Sequence, residues 1–141
     1  MNILYLCTGN SCRSQMAEGW TRHLGGGDIA VRSAGLEAHG LNPNAVATMQ
    51  EAGVDITSQH STILADADLD WADLVITVCG HADEHCPLLP PNTNKQHWPI
   101  DDPAGATGSD AEVAAIFAAT RDLVREHVSA LLADRSQTAA Q

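Results

Sequence analysis

A chain of 141 residues is long enough for one domain with its own core, and 18 acidic residues against seven lysines and arginines leave it at a formal charge of -11, with Lys95 its sole lysine. That charge excludes sequence-independent binding to nucleic acid or to anionic membrane, and it repels anionic substrates at long range, so any anion site must work through oriented short-range donors. Residues 1–6 run straight into Cys7 with no basic leader, and no run is apolar and long enough to span a bilayer. The four cysteines are therefore expected as thiols in a reducing cytoplasm, where reactive or metal-binding uses are more common than structural disulfides. The chain is expected to act as a monomer.

Residues 3–6 form a short apolar run that ends at a Gly/Asn turn, the pattern of a buried first strand feeding a loop. From Ser14 to Leu24, Met16, Trp20 and Leu24 recur at a spacing of four and predict a helix, stopped by Gly25, Gly26 and Gly27. A second strand is expected over 29–33. Asn42-Pro43 opens a helix as cap and first residue, running through Val46 and Met49 to Gly53. The strongest strand signal covers 73–78, and 96–100 is expected to be a short fourth strand. Ser109 and Glu112 form a capping box ahead of a long amphipathic helix with Val113, Ile116, Phe117, Val124 and Val128 on its apolar side. The domain is expected over 1–133, with 134–141 a frayed tail. Strands separated by helices predict an α/β fold, a single domain with a central four-stranded parallel sheet flanked by helices. Ligands in such sheets bind at the carboxyl ends of the strands, where Cys7, Cys79 and the pair Asp101-Asp102 all fall.

Cys7-Thr8-Gly9-Asn10-Ser11-Cys12-Arg13-Ser14 places a cysteine, five residues and an arginine between a strand and a helix. Such a loop can turn its backbone N–H groups onto a tetrahedral oxyanion, with the helix N-terminus adding positive potential. Gly9 and Asn10 are expected to supply unusual backbone angles. Arg13 offers a planar fork to two anion oxygens, the same donors favour the Cys7 thiolate as nucleophile, and Ser14 is placed to donate its hydroxyl to that sulfur. Cys12 is either a bystander or a thiol that protects Cys7 by pairing with it. For Cys79 and Cys86 the residues alone leave three uses: inert core thiols, zinc ligands with His81, His85 or His97, or a redox pair. His23, His39, His60 and His127 read as surface or packing residues.

The loop from Cys7 to Gly19, Ser33-Ala34-Gly35, Asn42-Pro43, Cys79, Cys86-Pro87 and the run from His97 to Gly105 together resemble the low-molecular-weight protein tyrosine phosphatase superfamily, and within it the thioredoxin-coupled arsenate reductases. The resemblance covers nearly the whole chain to about Ala133. It implies that Cys7 attacks arsenate, that the loop from Thr8 to Ser14 holds the oxyanion, and that Cys79 and Cys86 carry a disulfide relay reset by thioredoxin. A phosphatase shares the nucleophile, the loop and the acid. The chemical separation lies in electrons, because reduction of arsenate to arsenite takes two, the number released when two thiols become a disulfide. The segment between Cys79 and Cys86 is expected to be helical or turn-like when reduced and to loop out when oxidised.

A carboxylic acid near the loop is needed to protonate the departing oxygen. Asp101 and Asp102 are both candidates by position, since neighbouring extended residues point opposite ways, and the resemblance selects Asp102, the residue before Pro103. No tightly bound cofactor is expected. Family members include proteins with a potassium site beside the loop, and Asn10, Glu18 and Ser33 match three of its side-chain ligands, while the remaining acidic ligand has no counterpart in residues 55–63. A tyrosine phosphatase and a thiolate metal sensor are the alternatives. The sensor would need a basic DNA-reading surface, and the phosphatase would want aromatic walls around its substrate.

Overall fold

Asn2–Cys7 (β1) is apolar from Ile3 to Leu6 without alternation, as befits a parallel strand covered on both faces, and these four side chains are fully buried. In the computed structural model, which describes residues 1–140 and side chains through 134, β1 pairs in parallel with Ala30–Gly35 (β2). Between them lies the helix Arg13–Leu24 (α1). Pro43–Glu51 (α2) follows, with the Asn42 side chain accepting from the N–H groups of Asn44 (2.8 Å) and Ala45 (3.4 Å) and Pro43 at its first position, where a missing N–H costs nothing. After Asp66–Trp71 (α3), the strand Leu74–Thr77 (β3) pairs with the other side of β1. Gly80–Glu84 (α4) leads to Asn94–His97 (β4), which pairs with β3. A 3-10 turn, Pro103–Gly105, precedes Asp110–Ala140 (α5). The capping box forms as expected: Ser109 Oγ accepts from the Glu112 N–H at 3.1 Å and Glu112 accepts from the Ser109 N–H at 3.3 Å.

The sheet runs β2-β1-β3-β4 and is wholly parallel, as the alternation of strands and helices predicts. Strand alternation sends Ile3 and Tyr5 into the larger core with Met16 and Trp20 of α1, Met49 of α2, and Phe117, Val124 and Val128 of α5. Leu4 and Val75 face the smaller core with Leu69 of α3 and Ala72. The Trp20 indole N–H donates to the carbonyl of Arg121 at 3.1 Å, tying α1 to α5.

Two expectations shift. The second strand runs to Gly35 rather than stopping at Ser33, which carries it to the carboxyl edge beside Cys7. The fourth strand forms over 94–97 rather than 96–100. Trp98 and Ile100 are buried, but in the chain that turns into the core after the strand, whereas all four β4 side chains are exposed, a polar edge that discourages further pairing. Helix α3 was not foreseen from its short, acidic sequence; Asp68 accepts from the Ala65 N–H at 3.0 Å to open it. The expected fray of 134–141 falls, beyond residue 134, outside the described side chains. Among the described residues no helix is long and apolar enough to cross a membrane.

Candidate active site

The loop after β1 is shaped from outside by the chain that follows β2. Backbone N–H groups of Leu36, Glu37, His39 and Asn42 donate to the carbonyls of Cys7 (3.1 Å), Thr8 (2.8 Å), Gly9 (2.9 Å) and Ser11 (3.2 Å). The Gln15 amide donates to the Asn10 carbonyl at 3.0 Å. In a trans peptide the C=O of one residue and the N–H of the next point opposite ways. Drawing the carbonyls of residues 7–11 outward therefore turns the N–H groups of residues 8–12 inward, as an oxyanion cradle requires. Asn10 takes the left-handed backbone expected of it, with φ of 48°. Gly9 does not need left-handed freedom; its missing side chain leaves room for His39, whose Nδ1 would stand 2.2 Å from a Cβ there. Gly35 is more constrained, since a Cβ would meet the Glu37 carbonyl at 2.3 Å and both Asn10 N and Thr8 O at 2.8 Å.

Inside the loop a polar chain ends on Cys7. The Asn10 amide nitrogen, which can only donate, reaches Ser14 Oγ at 2.8 Å and Ser33 Oγ at 2.9 Å. Ser14 thus has its own hydrogen free for Cys7 Sγ, 2.8 Å away, and the Asn10 N–H points at the same sulfur at 3.1 Å. Ser33 donates on to Glu18 at 2.6 Å. Two donors thus converge on one buried sulfur. Cys12 differs: burial above all, with Asp102 adding to it, pushes its thiol up to about 11, so it stays protonated at neutral pH and is a poor attacking group.

A cleft of about 200 Å³ opens over this cradle, bounded by Cys7, Thr8, Gly9, Ser11, Cys12, Arg13, His39, Asp102 and Ala104. Arg13 begins α1 and donates to the Ile100 carbonyl at 2.9 Å, with its second terminal nitrogen 3.7 Å from the Asp102 carboxylate. Asp102 also accepts from the Ala104 N–H at 3.0 Å, which fixes it at the cleft mouth. Asp101 does not line the cleft. His39, expected as a surface or packing residue, lies at the rim and pairs with Glu37. The N–H ladder from 36–42 has only indirect signals in the sequence, Gly35 and Asn42-Pro43, at its two ends. His23 and His127 pack on Trp20 and Trp98, at centroid distances of 5.9 and 4.9 Å.

Cys79 follows β3 and comes to the same edge. Its sulfur stands 3.3 Å from the Thr8 hydroxyl and accepts from the Ala82 N–H, also at 3.3 Å, so it caps α4. Cys86 lies beyond the far end of α4, partly buried against the core. The five residues of α4 lie between the two and rise about 7.5 Å along the helix axis, more than the roughly 4 to 7 Å between α-carbons that a disulfide tolerates. All four cysteines are free.

Asn10, Glu18 and Ser33 gather beside the loop and are linked there by hydrogen bonds. The Asn10 side-chain Oδ1 accepts from the Thr62 N–H at 2.8 Å, Ser33 donates to Glu18, and the other Glu18 oxygen takes Arg22 at 3.0 Å. Among the described residues no group of three or more His, Cys, Asp or Glu side chains is placed to hold a metal, Cys79 and Cys86 with their neighbouring histidines included.

A parallel α/β sheet with a cysteine-arginine oxyanion loop at its carboxyl edge defines a phosphatase-type scaffold. The family model for low molecular weight phosphotyrosine protein phosphatases matches residues 2–140, and the chain belongs to that family. It is 54% identical over 126 residues to the arsenate reductase of Bacillus licheniformis, covering 89% of this chain and 91% of the relative. The solved structure of an arsenate reductase in the phosphate binding state superposes with a TM-score of 0.77 at 37% identity, over 94% of this chain and 97% of the other. The thioredoxin-dependent arsenate reductase of Corynebacterium glutamicum superposes with a TM-score of 0.70 at 28% identity, over 94% of this chain and 62% of that one.

Proposed function

We propose that this chain reduces arsenate to arsenite in the cytoplasm through three thiols, Cys7, Cys79 and Cys86, with thioredoxin restoring them. The observation that carries the reading is the second thiol: Cys79 Sγ stands 3.3 Å from the oxyanion loop's Thr8 hydroxyl, a position that hydrolysis gives no use. The arsenate reductases among its relatives support the same chemistry. No phenylalanine, tyrosine or tryptophan lines the cleft, which suits a small inorganic oxyanion better than a phosphotyrosine ring.

In the proposed cycle the inward N–H groups and Arg13 hold arsenate while the Cys7 thiolate attacks arsenic. An As–O bond breaks, and Asp102 gives the departing oxygen its proton. The Cys79 thiolate then attacks Cys7 Sγ; a disulfide forms, the S–As bonding pair stays on arsenic, and arsenite leaves reduced by two electrons. Cys86 next attacks Cys79, carrying the disulfide to the outer side of α4, where thioredoxin reduces it. Phosphate fits the same donors but stops at the first step, having no comparable two-electron exit.

Consumption of NADPH on adding arsenate to the protein with thioredoxin and thioredoxin reductase tests the reading. The Cys86→Ser variant is expected to release a single equivalent of arsenite and then stop, and Cys79→Ser to release none. Sustained consumption by either variant would refute the relay, and no consumption alongside brisk aryl phosphate hydrolysis would make the chain a phosphatase.

A further inference from the structure

Helix α4 has five residues, too few to hold itself together in water, so its attachments decide how long it stays formed. One is the Cys79 cap, which is drawn toward the loop once Cys79 bonds to Cys7. Another is Ala82, buried in the core. The third is Asp83. Its carboxylate accepts from the Lys95 ammonium of β4 at 2.7 Å and from the Thr77 hydroxyl of β3 at 3.1 Å, with His97 Nδ1 4.0 Å away. Lys95, the sole lysine of the chain, also stands 3.5 Å from the Asp83 carbonyl. The pair is mutual: Lys95 holds the Asp83 carboxyl below its ordinary range, and Asp83 raises the Lys95 ammonium.

We propose that Asp83, clasped by Lys95 and Thr77, is the gate of α4: it keeps Cys86 apart from Cys79 while the first disulfide forms, and its release sets the rate of the second exchange. The proposal rests on the three-thiol reading. In that exchange Cys86 gives its proton to water and its thiolate attacks Cys79 Sγ. The Cys79–Cys86 bond forms as the Cys7–Cys79 bond breaks, and Cys7 leaves as a thiolate beneath Ser14 and the Asn10 N–H, with no net change in electrons. Opening also alters what Cys86 feels. Burial chiefly raises its thiol, Lys95 opposes that rise and Asp83 adds to it, so a departing Asp83 leaves the ammonium unopposed. Asp83 is thus a positioning residue, acting through α4 and never touching the substrate.

Asp83→Asn keeps the size and removes the charge. Two rates are compared with those of the parent protein: amide hydrogen exchange over residues 80–85 in the fully reduced protein without arsenate, and formation of the Cys79–Cys86 disulfide after one equivalent of arsenate, followed by thiol trapping and mass spectrometry. Both are expected to rise roughly two- to fivefold, the range for a half-exposed ion pair. Molar salt is expected to accelerate the parent in the same way and the variant hardly at all, and Asp83→Glu to restore most of the slow behaviour. Unchanged amide exchange overturns the clasp, and faster amide exchange with an unchanged disulfide rate overturns the gate. A parent protein that never forms the Cys79–Cys86 disulfide overturns the relay and the gate's role with it, a failure told apart because the amide arm needs no arsenate.

Discussion

The oxyanion loop and the segment from Cys79 to Cys86 meet at one edge of one sheet, yet they are held in opposite ways. The loop is tied by main-chain bonds to 36–42, by Gln15 and by the chain from Glu18 through Asn10 to Ser14, and among the described residues no buried side-chain nitrogen or oxygen lacks a partner. The other segment is one short helix with a thiol cap, one buried alanine and a half-exposed ion pair. Binding a small anion rewards donors that are already in place, because nothing then has to reorganise. Moving a disulfide along a helix of five residues rewards a segment that opens at little cost.

The same substitution in the two regions would break or sharpen this contrast. Gly35→Ala forces a Cβ against backbone atoms of Glu37, Thr8 and Asn10, none of which can swing aside. A loss of about 3 kcal/mol is expected in denaturant unfolding, together with loss of phosphate binding by calorimetry. A cost near zero would mean that the loop is far softer than its bonding suggests.

A smaller effect separates the thiols by pH. Unfolded Cys12 loses its proton near its ordinary value of 9.0, whereas in the fold it does so at about 11. Ionisation therefore favours the unfolded chain between those values, and stability that is intact below pH 9 drains away as pH rises toward 11. By pH 10 the loss is expected to be about 1 kcal/mol, and Cys12→Ala should remove it. Urea midpoints compared between about pH 8 and pH 10 check this, and an equal decline in both proteins would remove Cys12 as its source.

The smallest expected effect is at Gly80, where a Cβ meets nothing within 4 Å. Gly80→Ala should stabilise the protein by about 0.5 kcal/mol, by favouring α4 and restricting the unfolded chain. Arsenate turnover should slow slightly rather than collapse, in contrast to Gly35→Ala. A collapse would show that α4 tolerates no change and that the contrast is false.

Much of the architecture was legible because its signals are local. The unbroken apolar run of β1, the Asn42-Pro43 cap, the capping box at Ser109 and the cysteine-to-arginine loop each act within a few residues. The parallel sheet followed from strands alternating with helices. The sequence misplaces the edge strand β4 because Trp98 and Ile100 look like strand residues but serve the core beyond it, and it hides α3 because six residues, three of them aspartates, are too few to show a period.

What the sequence by itself determined is therefore the set of reagents and the order of the elements: a thiol and an arginine in one loop, two more thiols seven residues apart, and an aspartate before a proline. What only the tertiary structure decided is how they are aimed. The carbonyls of residues 7–11 turn outward because 36–42 and Gln15 come from elsewhere in the chain to take them. Asp102 and not Asp101 reaches the cleft, His39 closes its rim, and Arg22 pairs with Glu18. Those outcomes depend on contacts between residues far apart in the chain, set by packing and main-chain hydrogen bonding that no local pattern encodes.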